Sequence, residues 1–231
     1  MTKCILAMPG NEAMAASIAR ELGCDVAGTA VHRFPDGETS LRIDAELGGR
    51  DIAIVCTLDH PDEKLASLLF AAALCRDLGA ASVGLLAPYL AYMRQDMRFN
   101  RGESVTARYF AHLLSANFDW LVTADPHLHR IPTLESVYSI PAIAVRAAPA
   151  IGDWIRQHVA NPGLIGPDEE SRQWVSEVAR LAEAPFLVLE KIRRGDADVA
   201  VSAPDRDWLR QCTPVIVDDI ASTGRTLEAA I

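Results

Sequence analysis

Residues 214–231 read PVIVDDIASTGRTLEAAI. An apolar, β-branched run ends in two adjacent carboxylates, Asp218 and Asp219. A short polar turn with one glycine follows, then a helix-like tail. A strand feeding Ser222, Thr223, Gly224, Arg225 and Thr226 into a helix collects backbone N–H groups and hydroxyls at one point, which makes an anion site. Adjacent carboxylates repel that anion, so they suit hydroxyls or a metal beside it. A phosphate next to vicinal hydroxyls describes a phosphorylated sugar. On these residues alone a second reading stays open: Ser222 or Thr223 caps a helix and the acids are solvated.

Working outward, the same strand-then-helix rhythm fills the chain. KCILAM (3–8) reads as a strand, and 11–22 as a helix with Asn11 as cap and Gly23 as stop. DVAGTAVHRF (25–34) and ETSLRID (38–44) read as two strands around the turn PDG. Strands follow at 51–57, 81–88 and 119–127, with helices at 62–78, 105–116 and 147–159 between and after them. GLIGPD, FLVLEK, DADVAVS and PVIVDD are later strands, with a helix over 169–183. Two prolines near 140–146 mark a boundary, which predicts domains at 1–143 and 144–231. The pattern predicts an α/β fold, with mainly parallel sheets flanked by helices. In such sheets ligands sit at the carboxyl ends of strands.

Composition narrows the class. The chain has 231 residues, 50% of them hydrophobic, and a net charge of −9. No basic footprint for nucleic acid is present. The longest near-apolar run, Leu65–Cys75, is too short to span a bilayer. Five scattered cysteines without a CxxC pair read as reduced thiols in a cytoplasmic protein.

Four further strand ends carry unusual polar groups. TADPH holds Asp125 and His127, two apart on an expected strand, so they face the same way. They suit a divalent cation beside a polyphosphate, or His127 only caps the strand. GPDEES sets Asp168 ahead of a helix, either as a ligand or as a helix start signal. EKIRR (190–194) is a basic turn, able to clamp a transferring phosphoryl group or merely solvated. MRQDMRFNRGE (93–103) lacks apolar periodicity and reads as a loop, with Arg94, Arg98 and Arg101 interleaved with Asp96 and Glu103.

Together, FPDGE (34–38), YMRQDMRF (92–99), GESVTAR (102–108), TADPH (123–127), GPD (166–168), EKIRR and VDDIASTGRT (217–226) resemble the blocks of the ribose-phosphate diphosphokinases, the PRPP synthases, in their compact archaeal-like form. The last block is also similar to the loop of type I phosphoribosyltransferases, so by itself it separates neither class. The resemblance implies two type I phosphoribosyltransferase-like domains, the second cut short at Ile231. It implies ATP and ribose 5-phosphate as substrates, Mg2+ as cofactor, and a homo-oligomer without nucleic-acid or membrane partners. Phe34, Asp36 and Glu38 would reach the adenine of ATP in a neighbouring subunit, and Arg94 and Gln95 would hold ATP. Asp125 and His127 would lie at the magnesium–triphosphate site, with His127 also catalytic, and Asp168 would serve a second metal or the sugar hydroxyls. Lys191 and Arg193 would sit on a mobile catalytic loop. Asp218 and Asp219 would bind ribose hydroxyls, and Ser222–Thr226 the 5-phosphate.

Two departures stand out. Glu169 and Glu170 follow Asp168 where the family usually carries small residues, and would repel a phosphate unless they point away or meet metal or Arg172. Leu128, His129 and Arg130 follow DPH in place of a glutamine-containing segment. Two other readings remain, a phosphoribosyltransferase that uses PRPP, or a non-catalytic regulatory paralogue.

Overall fold

Alternate residues of the first strand face opposite ways, and both faces are apolar. That dictates a sheet covered on two sides. The computed structural model describes residues 2–189, 191–193, 199–201 and 206–220. The chain divides into two units, Met1–Val145 and Arg146–Ile231.

In the first unit, β1 (Lys3–Ala7) leads into α1 (Glu12–Leu22), and β2 (Asp25–Arg33) turns back into β3 (Thr39–Ile43). There follow β4 (Asp51–Val55), α2 (Pro61–Asp77), β5 (Ser82–Ala87), α3 (Thr106–Asn117), β6 (Trp120–Ala124) and β7 (Ala142–Val145). The sheet order is β3-β2-β1-β4-β5-β6-β7, with every pair parallel except β2–β3. Cys4, Leu6, Ile52 and Ile54 pack with α2 and α3 residues such as Leu68 and Phe110. On the other face Ile5, Ala7, Ala53 and Val55 pack with Ala15 and Ala19 of α1.

Three details differ from expectation. Asn11 does not cap α1 with its side chain. Its Oδ1 instead accepts from Thr57 N at 2.8 Å, and its Nδ2 donates to Met8 O and Pro9 O. The buried amide thereby satisfies backbone groups where β1 and β4 end. The stretch 140–146 is more than a boundary, because it carries β7. Pro141 precedes the strand, where only its carbonyl is needed, and that carbonyl accepts from Leu121 N at 2.9 Å. The strand expected over 119–127 stops at Ala124. Pro126 has no N–H to extend the ladder, and Asp125 turns to φ 35° after a last rung to Val145 O. Gly23 does stop α1, at φ 61° with N–H bonds back to the last turn.

In the second unit, α4 (Ala148–His158), β8 (Pro162–Gly166), a 3₁₀ turn (Glu169–Ser171), α5 (Arg172–Ala182) and β9 (Phe186–Val188) follow in order. Then come β10 (Lys191–Arg193), β11 (Val199–Val201), α6 (Arg206–Leu209) and β12 (Thr213–Ile216). The parallel sheet runs β12-β8-β9, and β10–β11 form a separate antiparallel pair. Leu164, Val175, Val178 and Val217 make the core of this unit with Ala148 and Ile155.

Gly166 ends β8 where the next turn folds back on it. A Cβ there would lie 2.5 Å from Ser171 Oγ and 3.0 Å from Val175 Cγ1. Gly166→Ala is therefore expected to cost about 1–3 kcal/mol, as overpacking does. Thermal unfolding checks this, and an unchanged midpoint would contradict the close approach.

Candidate functional site

The tip of the first unit's hairpin is a tight five-residue connection. Phe34 N donates to Glu38 O at 2.8 Å and Gly37 N to Phe34 O at 2.9 Å. Gly37 sits at φ 92°, which an L side chain rarely adopts. Asp36 Oδ1 accepts from Glu38 N at 3.1 Å, so this acid shapes its own turn. Phe34 stands 45% exposed, with the His32 ring edge-on at 4.7 Å. At the foot of the hairpin, Arg33 donates to Glu63 O at 2.6 Å. The tip thus presents an aromatic face and two exposed acids.

The loop after β5 is ordered by its own acids. Met93 and Asp96 are buried while Arg94 between them is exposed. The Gln95 carbonyl accepts from Ala107 N at the start of α3. Tyr92, at φ 64°, donates its hydroxyl to Asp62. Glu103 Oε2 accepts from Phe99 N and Asn100 N, both at 2.9 Å, and its carbonyl accepts from Arg98 Nε. Hydrogen bonds from Asn100 hold the Glu103 carboxyl below its usual range. Sequence reasoning saw Asp96 and Glu103 only as charges among arginines, and their structural work was missed. Period and composition do not carry that signal.

Asp125 and His127 lie just past β6. The His127 and His129 rings meet edge to face at 4.0 Å. Because the strand stops at Ala124, strand alternation does not set the directions of Asp125 and His127. A left-handed turn does. Arg130, next along, pairs with Asp96 at 3.1 Å and so ties this segment to the Arg94–Gln95 loop.

In the second unit, Asp168, Asp218 and Asp219 gather at the carboxyl ends of β8 and β12. Asp168 caps the 3₁₀ turn: its Oδ1 accepts from Ser171 N at 3.2 Å, and Ser171 Oγ donates to Asp168 O at 2.6 Å. The helix expected over 169–183 therefore starts as this turn and becomes α-helical from Arg172. Glu169 meets Arg172 through two contacts, at 2.5 and 2.8 Å. That pairing answers the repulsion which the sequence raised for Glu169. Asp218 lies against like charge, with Asp219 N donating to its Oδ1 at 3.0 Å. Burial first, then the Asp219 and Asp168 carboxylates, push it up to about 6.

EKIRR is not the turn expected from sequence. Lys191–Arg193 are strand β10, paired in register with β11 as Lys191↔Val201, Ile192↔Ala200 and Arg193↔Val199. The β-branched residues Ile192, Val199 and Val201 favour this pairing over a solvated turn. Ser222, Thr223, Gly224, Arg225 and Thr226 lie outside the described residues, as do Glu190 and Arg194.

Mainly parallel sheets flanked by helices, with acids, a basic loop and histidines at their strand ends, define an α/β protein of the class whose ligands sit at the carboxyl edge of the sheet. Comparison with known proteins gives the family. Residues 3–117 match the model for the N-terminal domain of ribose phosphate pyrophosphokinase, and residues 133–231 match the phosphoribosyl transferase domain. The ribose-phosphate pyrophosphokinase of Methanopyrus kandleri is 35% identical over 228 residues, covering 98% of this chain and 77% of that one. That of Methanobrevibacter smithii is 31% identical, covering 98% and 79%. The crystal structure of phosphoribosylpyrophosphate synthetase from Mycobacterium smegmatis shares the fold, with a TM-score of 0.80 at 22% identity, covering 98% of this chain and 74% of that one. The chain belongs to the ribose-phosphate pyrophosphokinase family.

The Asp218 shift has a pH consequence. Its folded value lies above the ordinary carboxylate range, so between about pH 4 and pH 6 the folded chain keeps a proton that the unfolded chain has lost. Stability falls as pH rises through that window. In metal-free buffer, Asp218→Asn is expected to gain in melting temperature over the parent progressively across it. A flat difference would contradict the raised value.

Proposed function

We propose that the protein is a ribose-phosphate diphosphokinase, which transfers the diphosphoryl group of ATP to the anomeric hydroxyl of ribose 5-phosphate and releases AMP. The observation that carries this reading is the match of residues 3–117 to the N-terminal domain of ribose phosphate pyrophosphokinase, in the region that holds FPDGE and the RQDMRF loop. A phosphoribosyltransferase that uses PRPP would share only the later block, and that alternative is not favoured. Nor is a non-catalytic paralogue, because Lys191 and Arg193 are retained.

In this reading the first unit is the ATP side and the second the ribose 5-phosphate side. Phe34 offers a ring for adenine, with Asp36 and Glu38 accepting from the base or its ribose. An exposed ring at an edge-hairpin tip suits the adenine of a neighbouring subunit, which makes the enzyme a homo-oligomer. Arg94 and Gln95 hold the nucleotide, with Arg94 against its phosphates. Asp218 and Asp219 accept from the ribose hydroxyls while Ser222–Thr226 donate to the 5-phosphate. Lys191 and Arg193, two residues apart on β10, counter the charge that develops on the transferring group. Positioning and electrostatics then supply most of the rate.

The donors also fit magnesium. Carboxylates are hard oxygen ligands, and the like-charge repulsion that, after burial, raises Asp218 is the kind a divalent cation relieves. In the first unit Asp125 and His127 would hold Mg2+, and in the second Asp168 would serve a second metal or the sugar hydroxyls. Bound there, the metal would neutralise phosphate charge and polarise the reacting group. Among the described residues no helix is long and apolar enough to cross a membrane, and all five cysteines are free. The substrates and free thiols together suit the cytoplasm.

AMP release from ATP, Mg2+ and ribose 5-phosphate tests the reading directly. The parent protein is expected to release AMP only with all three present, and to stop on chelation of the metal. No AMP from folded protein would sink the reading. Lys191→Ala is expected to lower kcat by about 100-fold or more, as loss of a transition-state charge contact does, with little change in KM for ribose 5-phosphate. Near-parental turnover would remove Lys191 from the catalytic set.

A further inference from the structure

Asp96 is a carboxylate in the first unit's interior. Its side chain is 1% exposed, whereas Arg94 two residues earlier faces solvent. Among the described residues, Arg130 is its ion-pair partner. Arg130 Nη1 lies 3.1 Å from one Asp96 oxygen and 3.4 Å from the other. The same guanidinium sits 5.7 Å from the centre of the Phe99 ring. One arginine, three residues past His127, thus grips the loop at Asp96 and again at Phe99.

The pair joins two segments that leave from different strands. The loop follows β5 and the Asp125–Arg130 segment follows β6, 34 residues apart at the contact. Both segments are rooted in one core, Met93 from the loop and Ile131 from the other. Asp125 is held at φ 35°, so its segment needs support from outside its own backbone. A buried carboxylate with one partner is costly to keep as a stability device alone, since an apolar pair of similar volume does as well or better. What a salt bridge adds is a defined geometry: Arg130 Nη1 is shared by both Asp96 oxygens while the guanidinium lies by the Phe99 ring, a placement that lysine's compact ammonium would not reproduce.

We infer that Asp96 and Arg130 are a positioning pair, which sets the Arg94–Gln95 loop against the Asp125–His127 segment so that both meet the triphosphate together. The inference rests on the ATP-side reading proposed above. It assigns a function to one of the two departures from the family pattern, since Arg130 stands in the segment after DPH where glutamine is usual.

The test is AMP-release kinetics with melting temperatures for the parent, Asp96→Asn, Arg130→Met, Arg130→Lys and the Asp96→Asn/Arg130→Met double variant. Each of Asp96→Asn and Arg130→Met is expected to raise KM for ATP about tenfold through misplacement of the phosphate-binding groups, with KM for ribose 5-phosphate within about twofold. The double variant is expected to be no worse than the worse single, because both changes remove one interaction. Arg130→Lys should restore the melting temperature while recovering KM for ATP only in part. Arg130→Met leaves Asp96 buried and unpaired. If that variant fails to fold, Asp96→Asn and the double variant still carry the test. Unchanged KM for ATP in Asp96→Asn, or single effects that multiply in the double variant, would overturn the pairing role even if melting temperatures fell. A parent that turns over normally beside unaffected variants sinks the pair alone. A parent that releases no AMP sinks the site reading, and the inference with it.

Discussion

Parallel strand pairing is the constraint on which the rest depends. When β2, β1, β4, β5, β6 and β7 run the same way, their carboxyl ends come to one edge. Every connection leaving that edge must find new partners for the N–H and C=O groups that the ladder no longer serves. Asn11 does this for Met8, Pro9 and Thr57, and Val145 O does it for Asp125. In the smaller sheet Asp168 and Ser171 do it for each other beyond β8. The turns that leave this edge are therefore fixed by the need to satisfy the backbone as well as by their own side chains.

Charge is arranged on the same principle. The net charge of −9 raises the question of how this chain could take a polyphosphate. Much of the acidity near the strand ends is spent internally. Asp96 is engaged by Arg130, Glu103 by the backbone of its own loop, and Glu169 by Arg172. Asp36 is engaged by its own turn. Asp218 differs, since burial first and then its acid neighbours raise its affinity for a proton. A site with an under-compensated carboxylate is poised for a cation or for hydroxyl donors, and a phosphorylated sugar bound with a metal offers both.

Much of the architecture was legible because it follows from period and punctuation. The apolar runs gave the parallel strands, Gly23 the end of α1, and the PDG turn the hairpin. Errors fell where a local rule met a tertiary demand. Asn11 looked like a cap but was claimed by Thr57, a partner 46 residues away. Asp125 and His127 looked like alternating strand residues, but Pro126 ended the ladder first. EKIRR read as a basic turn, yet pairing with Val199–Val201 makes Lys191–Arg193 a strand. β7 was hidden by the prolines around it.

The sequence by itself determined the α/β class, the order of the chemistry-bearing blocks and the family, since these reside in patterning and in short motifs that survive any rearrangement of side chains. Tertiary structure alone decided which charges are spent and which remain available. Arg130 and Asp96 are 34 residues apart in the chain and 3.1 Å apart in space. Whether a carboxylate meets an arginine, a backbone N–H or another carboxylate depends on distances of a few ångströms across strand ends. Electrostatic energy is steep over that range, and no spacing in the chain encodes it.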